Sequence, residues 1–229
     1  MRLSTEFLLE HLRHHDVNTL VHANTAVTST HFVRNQALLS RQAVDDLDLC
    51  QTAQASDEID PVVGVWNDVF VDSVDIHNRG RFRNEYGPVL LEFDVAILEQ
   101  ACNGHVWVTK SNPWYWRGVP DERRWFQSTE ELVAGFDVNA FCEMFVFRDC
   151  NGQLDFGDYL RQITIDAPDL QIDGTNVFDI SRQLIVDAMN DADANVPIVP
   201  RNCRDGCRCG LSYQQLPLPL IQSLFMTCP

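Results

Sequence analysis

Lysine is almost missing from this chain: of 17 basic residues only Lys110 is a lysine, the rest being arginine. The basic set is outnumbered by 33 acidic residues, leaving a formal net charge of −16. That balance argues against a surface that coats a long nucleic-acid duplex through overall charge. Glycine is scarce too, 11 of 229 residues. Neither G-x-x-x-x-G-K-[ST] nor G-x-G-x-x-G occurs, which speaks against Walker-type nucleotide hydrolysis and a Rossmann dinucleotide site. H-E-x-x-H and G-x-S-x-G are also absent, lowering the zinc-protease and α/β-hydrolase readings. No apolar run approaches the ~20 residues of a membrane span. The opening MRLSTEFLLEHLRHHD has neither the basic nor the long apolar region of an export signal. The expectation is a soluble, cytoplasmic protein with no membrane partner. Without a linker or an internal repeat, residues 1–195 are expected to form the main domain and residues 196–229 a Cys- and Pro-rich appendage packing on it or on a partner.

What is present suffices for a core, with 45% hydrophobic residues. Ser4 ahead of Glu6, Leu8 and Leu12 predicts a helix near residues 5–15. Thr19–Ala23 reads as a strand, and Thr28–Leu39, with Phe32, Val33, Gln36 and Leu39 at helical spacing, as a second helix. The stretch 45–60 lacks a period and reads as a loop. Strand patterns follow at Val62–Trp66, Val69–Val74, Pro88–Phe93, Val106–Thr109, Cys142–Phe147 and Gln162–Asp166. Helices are expected at Val95–Cys102 and after Ser128-Thr-Glu-Glu131. Residues 176–180 read as a strand, or Val177–Met189 as a helix; Leu216–Leu224 reads as an extended arm. This order implies an α+β fold with a mixed or antiparallel sheet and flanking helices.

Three polar signals sit at strand ends. Leu20-Val-His-Ala-Asn-Thr25 ends a β-run with an imidazole, an amide and a hydroxyl able to hold a small polar ligand; on spacing alone, a backbone-satisfied histidine before a helix cap is the simpler account. Val69–Pro88 carries Arg79, Arg81 and Arg83, which suit a pyrophosphate or else balance Asp72, Asp75 and Glu85 at the surface. Glu143 stands before the apolar run Met144–Phe147, where a carboxylate is paired, exposed or functional. Arg117, Arg123 and Arg124 form a second basic group beside Trp114, Tyr115 and Trp116, aromatic surfaces on which a single strand can stack.

In this order the signals resemble the ADP-ribosyltransferase superfamily, above all the DarT-like nucleic-acid ADP-ribosyltransferase toxins of toxin–antitoxin and phage-defence systems. Leu20–Thr25 is similar to the family's His-x-Thr strand and Gln36–Arg41 to its Gly-Leu-Leu-Ser-Arg segment, with Ala37 in place of glycine. Val69–Pro88 is similar to its strand and polar loop before Gly-Pro, and Cys142–Val146 to its Glu-bearing strand. The resemblance covers roughly residues 19–166 and implies a split β-sheet core and NAD as co-substrate. It implies Glu143 and Arg41 as catalytic residues, and His22, Asn24, Thr25 and one or more of Arg79, Arg81 and Arg83 as NAD-binding. It further implies a single-stranded nucleic-acid substrate and a cognate antitoxin. A different class of reading is a non-catalytic acidic module with a partner-docking tail.

Eight cysteines remain. Cys50, Cys102, Cys142 and Cys150 read as scattered, reduced small hydrophobes. Cys203-x-x-x-Cys207-x-Cys209, with Cys228 as a further thiol, fits a metal site, reactive thiols or an incidental cluster. Its spacing departs from C-x-x-C, and no metal is assigned on it.

Overall fold

The computed structural model describes residues 2–138 and 143–226. The strands are β1 (Leu3–Ser4), β2 (Thr19–Asn24), β3 (Ala37–Leu39), β4 (Val69–Asp72), β5 (Val89–Asp94) and β6 (His105–Val108). They continue with β7 (Met144–Phe147), β8 (Gln153–Asp155), β9 (Leu160–Ile165), β10 (Gln171–Ile172), β11 (Thr175–Asn176) and β12 (Ile198–Pro200). The α-helices are α1 (Thr5–His14), α2 (Ala26–Asn35), α3 (Arg41–Asp46), α4 (Asp60–Val63) and α5 (Ile76–Gly80). After them come α6 (Asp121–Arg124), α7 (Thr129–Gly135), α8 (Val177–Asp191), α9 (Cys209–Gln214) and α10 (Leu218–Phe225).

Eight strands form one mixed sheet in the order β1-β6-β7-β4-β2-β5-β9-β12, antiparallel throughout except where β12 runs parallel to β9. Alternation puts Val69 and Val71 of β4 on the buried side, with Leu91, Phe93, Phe145, Phe147, Ile163 and Ile165 beside them in the main core. Helices α2 and α8 pack on one another over this core through Phe32, Val33, Ile185 and Ala188. A second cluster joins Val177 to Tyr213, Leu224 and Phe225, so the C-terminal helices rest on the rest of the chain. Among the described residues no helix is long and apolar enough to cross a membrane.

Several expectations are corrected. The helix expected to Leu39 stops at Asn35, because Gln36 turns left-handed (φ 51°) and Ala37–Leu39 pair with β8. Val62–Trp66 is no strand: Asp60-Pro61 starts a short helix that Gly64 (φ 79°) ends. The Val177 segment is a helix capped by Asn176, whose side chain accepts from Phe178 N at 2.9 Å. Residues 218–225 are helical and not extended, since Pro217 and Pro219 fall at the cap and first turn, where no intrahelical N–H is needed. Cys102 and Cys150, expected reduced, form a disulfide with Cα atoms 5.5 Å apart, and Cys50 is also disulfide-bonded. Cys142, and with it the start of the strand expected there, lies outside the described residues.

Candidate functional site

The sheet divides between β2 and β4. All six residues of β2 are in register with β5, whereas β2 and β4 share the single pair Val21↔Asp72. A cleft of about 1000 Å³, open solvent at its mouth included, occupies this split, walled by His22, Asn24, Phe32, Arg41, Asp72 and Tyr86 among others.

His22 Nδ1 lies 2.8 Å from the Phe70 carbonyl. A carbonyl only accepts, so Nδ1 carries the proton, and burial holds the ring pKa below its ordinary value. Neutral His22 therefore keeps a bare acceptor at Nε2, which has no partner among the described residues. Its ring stands edge-on to Phe32 at 5.5 Å. Gly87 fixes the neighbouring main chain: at φ 149°, a Cβ there would sit 2.2 Å from the Asn24 carbonyl group and 2.4 Å from Thr25 N. Thr25 is buried behind the wall, its hydroxyl 3.1 Å from those of Thr28 and Thr52.

Arg41 enters the cleft from the start of α3, after the Ser40 cap. Its Nη1 donates to Thr52 O at 3.1 Å, Nη2 pairs with Asp57, and the guanidinium lies 5.8 Å from the Trp66 ring centre. Its Nε is buried with no partner among the described residues.

Glu143 does not line the cleft. It is 9% exposed, its Oε2 accepts from Asp137 N at 2.8 Å, and burial raises its pKa. Its neighbour Met144 does line the cleft and pairs with Asp72 across β4. Arg79, Arg81 and Arg83 also lie outside the lining. They belong to α5 and the turn after it, where Arg81 is left-handed (φ 58°). Arg124 is spent internally, donating to the carbonyls of Val119, Val63 and Trp116. Trp116, expected as a stacking surface, is fully buried against Trp125, whereas Trp114 and Tyr115 are 45% and 67% exposed. They stand on the turn whose Asn112 and Pro113 line the cleft.

Sequence reasoning missed the acidic wall. Burial pushes Asp72 up to about 8 and Asp60 up to about 6. Asp68, although ion-paired with Arg148 Nε at 2.9 Å, is likewise pushed up to about 6 by burial. An aspartate ending a β-run beside arginines gives no signal of this, because its desolvation comes from strands distant in sequence. Cys203, Cys207 and Cys209 do converge, but on His77 of α5, which the spacing could not indicate; Cys228 lies outside the described residues.

No protein-family model matches the chain, and no curated protein does either. Among solved structures it is similar to DarT of Thermus sp. 2.9 in complex with ADP-ribosylated ssDNA, with a TM-score of 0.50 over 82% of this chain and 95% of that one, at 12% identity. The likeness is one of fold: a large mixed sheet flanked by helices, as in the DarT-like ADP-ribosyltransferases.

Proposed function

We propose that this chain is an NAD-dependent ADP-ribosyltransferase that modifies a nucleic acid, presented as a single strand, and acts as a toxin in bacterial anti-phage defence under the restraint of a cognate antitoxin. The observation that carries the reading is the convergence of His22, Asn24 and Arg41, from three separate elements, on the cleft at the sheet split, with His22 Nε2 and Arg41 Nε buried and unpartnered. Buried polar atoms are normally satisfied; two open ones in one cleft fit a polar ligand that completes them.

NAD as co-substrate supplies the ADP-ribosyl group, and nicotinamide leaves with the electron pair of the glycosidic bond. His22 Nε2 accepts from a ribose hydroxyl or the amide N–H on the nicotinamide side, with Asn24 beside it. Thr25 acts from behind, holding the wall through Thr28 and Thr52. Arg41 is the phosphate clamp, pre-set by Asp57 and Thr52. Glu143, outside the cleft lining but next to Met144, which lines it, takes the acceptor's proton where the nucleic acid reaches the cleft edge; burial raises its affinity for one. Asp72, protonated at neutral pH, offers the cleft a donor. Trp114 and Tyr115 form a stacking rim for bases, and Arg79, Arg81 and Arg83 hold backbone phosphates outside the cleft.

The test is incubation of the full chain with NAD labelled in its adenylate phosphate and separate pools of single-stranded DNA, RNA and protein. Label in one nucleic-acid pool with matching nicotinamide release is expected. Label only in protein overturns the acceptor assignment, and no release in any pool overturns the enzyme.

A further inference from the structure

On the far side of the cleft wall, His77 and three cysteines from the C-terminal segment form a second polar centre. His77 Nε2 lies 3.6 Å from Cys203 Sγ and 3.4 Å from Cys207 Sγ, and Cys203 Sγ lies 3.4 Å from Cys209 Sγ. All four ligand atoms fall within 4.8 Å of one another. A tetrahedral zinc ion, with Zn–S of about 2.3 Å and Zn–N of about 2.0 Å, needs S···S edges of about 3.8 Å and S···N edges of about 3.5 Å. The two S···N edges, 3.6 and 3.4 Å, match, and the Cys203–Cys209 edge of 3.4 Å is shorter than the ideal and would open on binding. Cys203 and His77 are brought together across a sequence separation of 126.

The surroundings suit the same ion. His77 is 2% exposed, and its other ring nitrogen, Nδ1, faces Asp166 Oδ1 at 3.8 Å, the carboxylate–histidine arrangement that orients a metal-bound imidazole. Asp166 is itself held by Arg201 and by Tyr213, whose hydroxyl donates to Oδ2 at 2.5 Å. Arg201 also pairs with Asp75, and Asp75 caps α5 by accepting from His77 N at 3.0 Å. Cys209 N donates to Cys207 Sγ at 3.4 Å, a bond that favours the thiolate.

We infer that His77, Cys203, Cys207 and Cys209 bind one zinc ion as a closed structural site that fastens the C-terminal segment to α5. Three soft sulfurs and one imidazole in four-coordinate geometry select zinc over oxygen-seeking cations, and four protein ligands leave no open position for catalysis. The thiol protons pass to solvent on binding. The clamp stands next to the cleft: Asp75 and Ile76 line it and the following residue is a ligand. It also sets the basic turn, since Arg208 N, between two ligands, donates to Arg81 O at 2.6 Å.

The full chain, purified without chelator, is expected to carry one zinc per molecule by elemental mass spectrometry. X-ray absorption at the zinc edge should give three sulfurs and one nitrogen. Cobalt exchanged into the site should show thiolate charge-transfer bands and the intense visible bands of a tetrahedral ion. His77→Ala and Cys207→Ser are each expected to lose the metal. A metal-free, folded wild type that takes up no added zinc overturns the inference; so does a shell of oxygen and nitrogen only, a metal retained by both variants, or a Cys203–Cys209 disulfide found by peptide mapping. The wild-type measurements decide the question even if the variants do not fold. Metal content is independent of ADP-ribosyl transfer, so an inactive protein with stoichiometric zinc refutes only the enzymatic reading.

Discussion

Two polar centres lie on either side of residues 75–77, one of them reaching the surface at Cys203, and they differ in how their carboxyl groups are paired. In the cleft, His22 Nε2, Arg41 Nε and Gln51 Oε1 have no partner among the described residues, and Asp72 is desolvated with no ion pair among them to offset it. In the cysteine–histidine centre, Asp166 meets His77, Arg201 and Tyr213 at once; although burial opposes ionisation, these partners hold its carboxyl below the usual range. The second centre also leaves His77 Nδ1 and Arg201 Nη2 without a hydrogen bond among the described residues, but its carboxylates are ion-paired. A buried carboxyl with no ion pair is costly and is retained where a ligand completes it, whereas a paired network fixes architecture. The first centre therefore reads as a site for chemistry and the second as a clamp.

The largest expected effect separates chemistry from folding. Glu143→Gln and Arg41→Gln should each lower ADP-ribosyl transfer by ~100-fold or more, the scale for losing a group that meets developing charge, while the circular dichroism spectrum stays native. Full transfer by purified Glu143→Gln would remove the proton-accepting role from Glu143. Gly87→Ala strikes the scaffold instead. A Cβ 2.2 Å from the Asn24 backbone in a left-handed conformation should cost ~3 kcal/mol or more, seen as a large drop in calorimetric Tm and a lost NAD site. A near-native Tm would break the claim that this contact sets the cleft wall.

Asp72→Asn tests desolvation in the cleft. With a folded pKa of about 8 against an ordinary 3.8, the folded state holds a proton that the unfolded chain releases between those values. Wild-type stability should therefore fall as pH rises from about 4 to 8, and the variant should flatten that slope and be the more stable at pH 8. Urea titrations across the range give the comparison; parallel curves would refute it. His22→Ala should weaken NAD binding by roughly 10-fold, the value of one hydrogen bond, read by calorimetry beside the Tm without NAD. Unaltered affinity with a large fall in Tm would make His22 a core residue.

The smallest effects belong to the rim. Replacing Trp114 and Tyr115 by alanine should weaken a short single-stranded oligonucleotide by ~1–3 kcal/mol per stacked base. Arg79, Arg81 and Arg83 to Gln together should reduce the salt dependence of that binding and move stability by less than ~1 kcal/mol. Unchanged oligonucleotide affinity in both variants would leave the nucleic acid to bind elsewhere.

Much of the fold is legible locally. The Ser4 cap and the Leu8–Leu12 spacing mark α1, and the apolar run at 89–93 marks β5. His22 and Asn24 were legible as polar candidates towards the end of a strand, and Arg41 only through the family resemblance. Asp72 was not, since nothing near it in sequence dries it; nor was His77, whose partners follow more than 120 residues later. Trp116 was misread for a related reason: exposed and buried aromatics look alike until Trp125 is placed against one of them.

By itself, then, the sequence determined what short-range forces control: helix caps, strand alternation, the turns that end them, and the chemical types available at each strand end. Only the tertiary structure decided which of those groups lose water and which find partners. Desolvation and metal-like clustering depend on close approach of distant segments, as where β2 parts from β4 and where the C-terminal cysteines fold back onto α5.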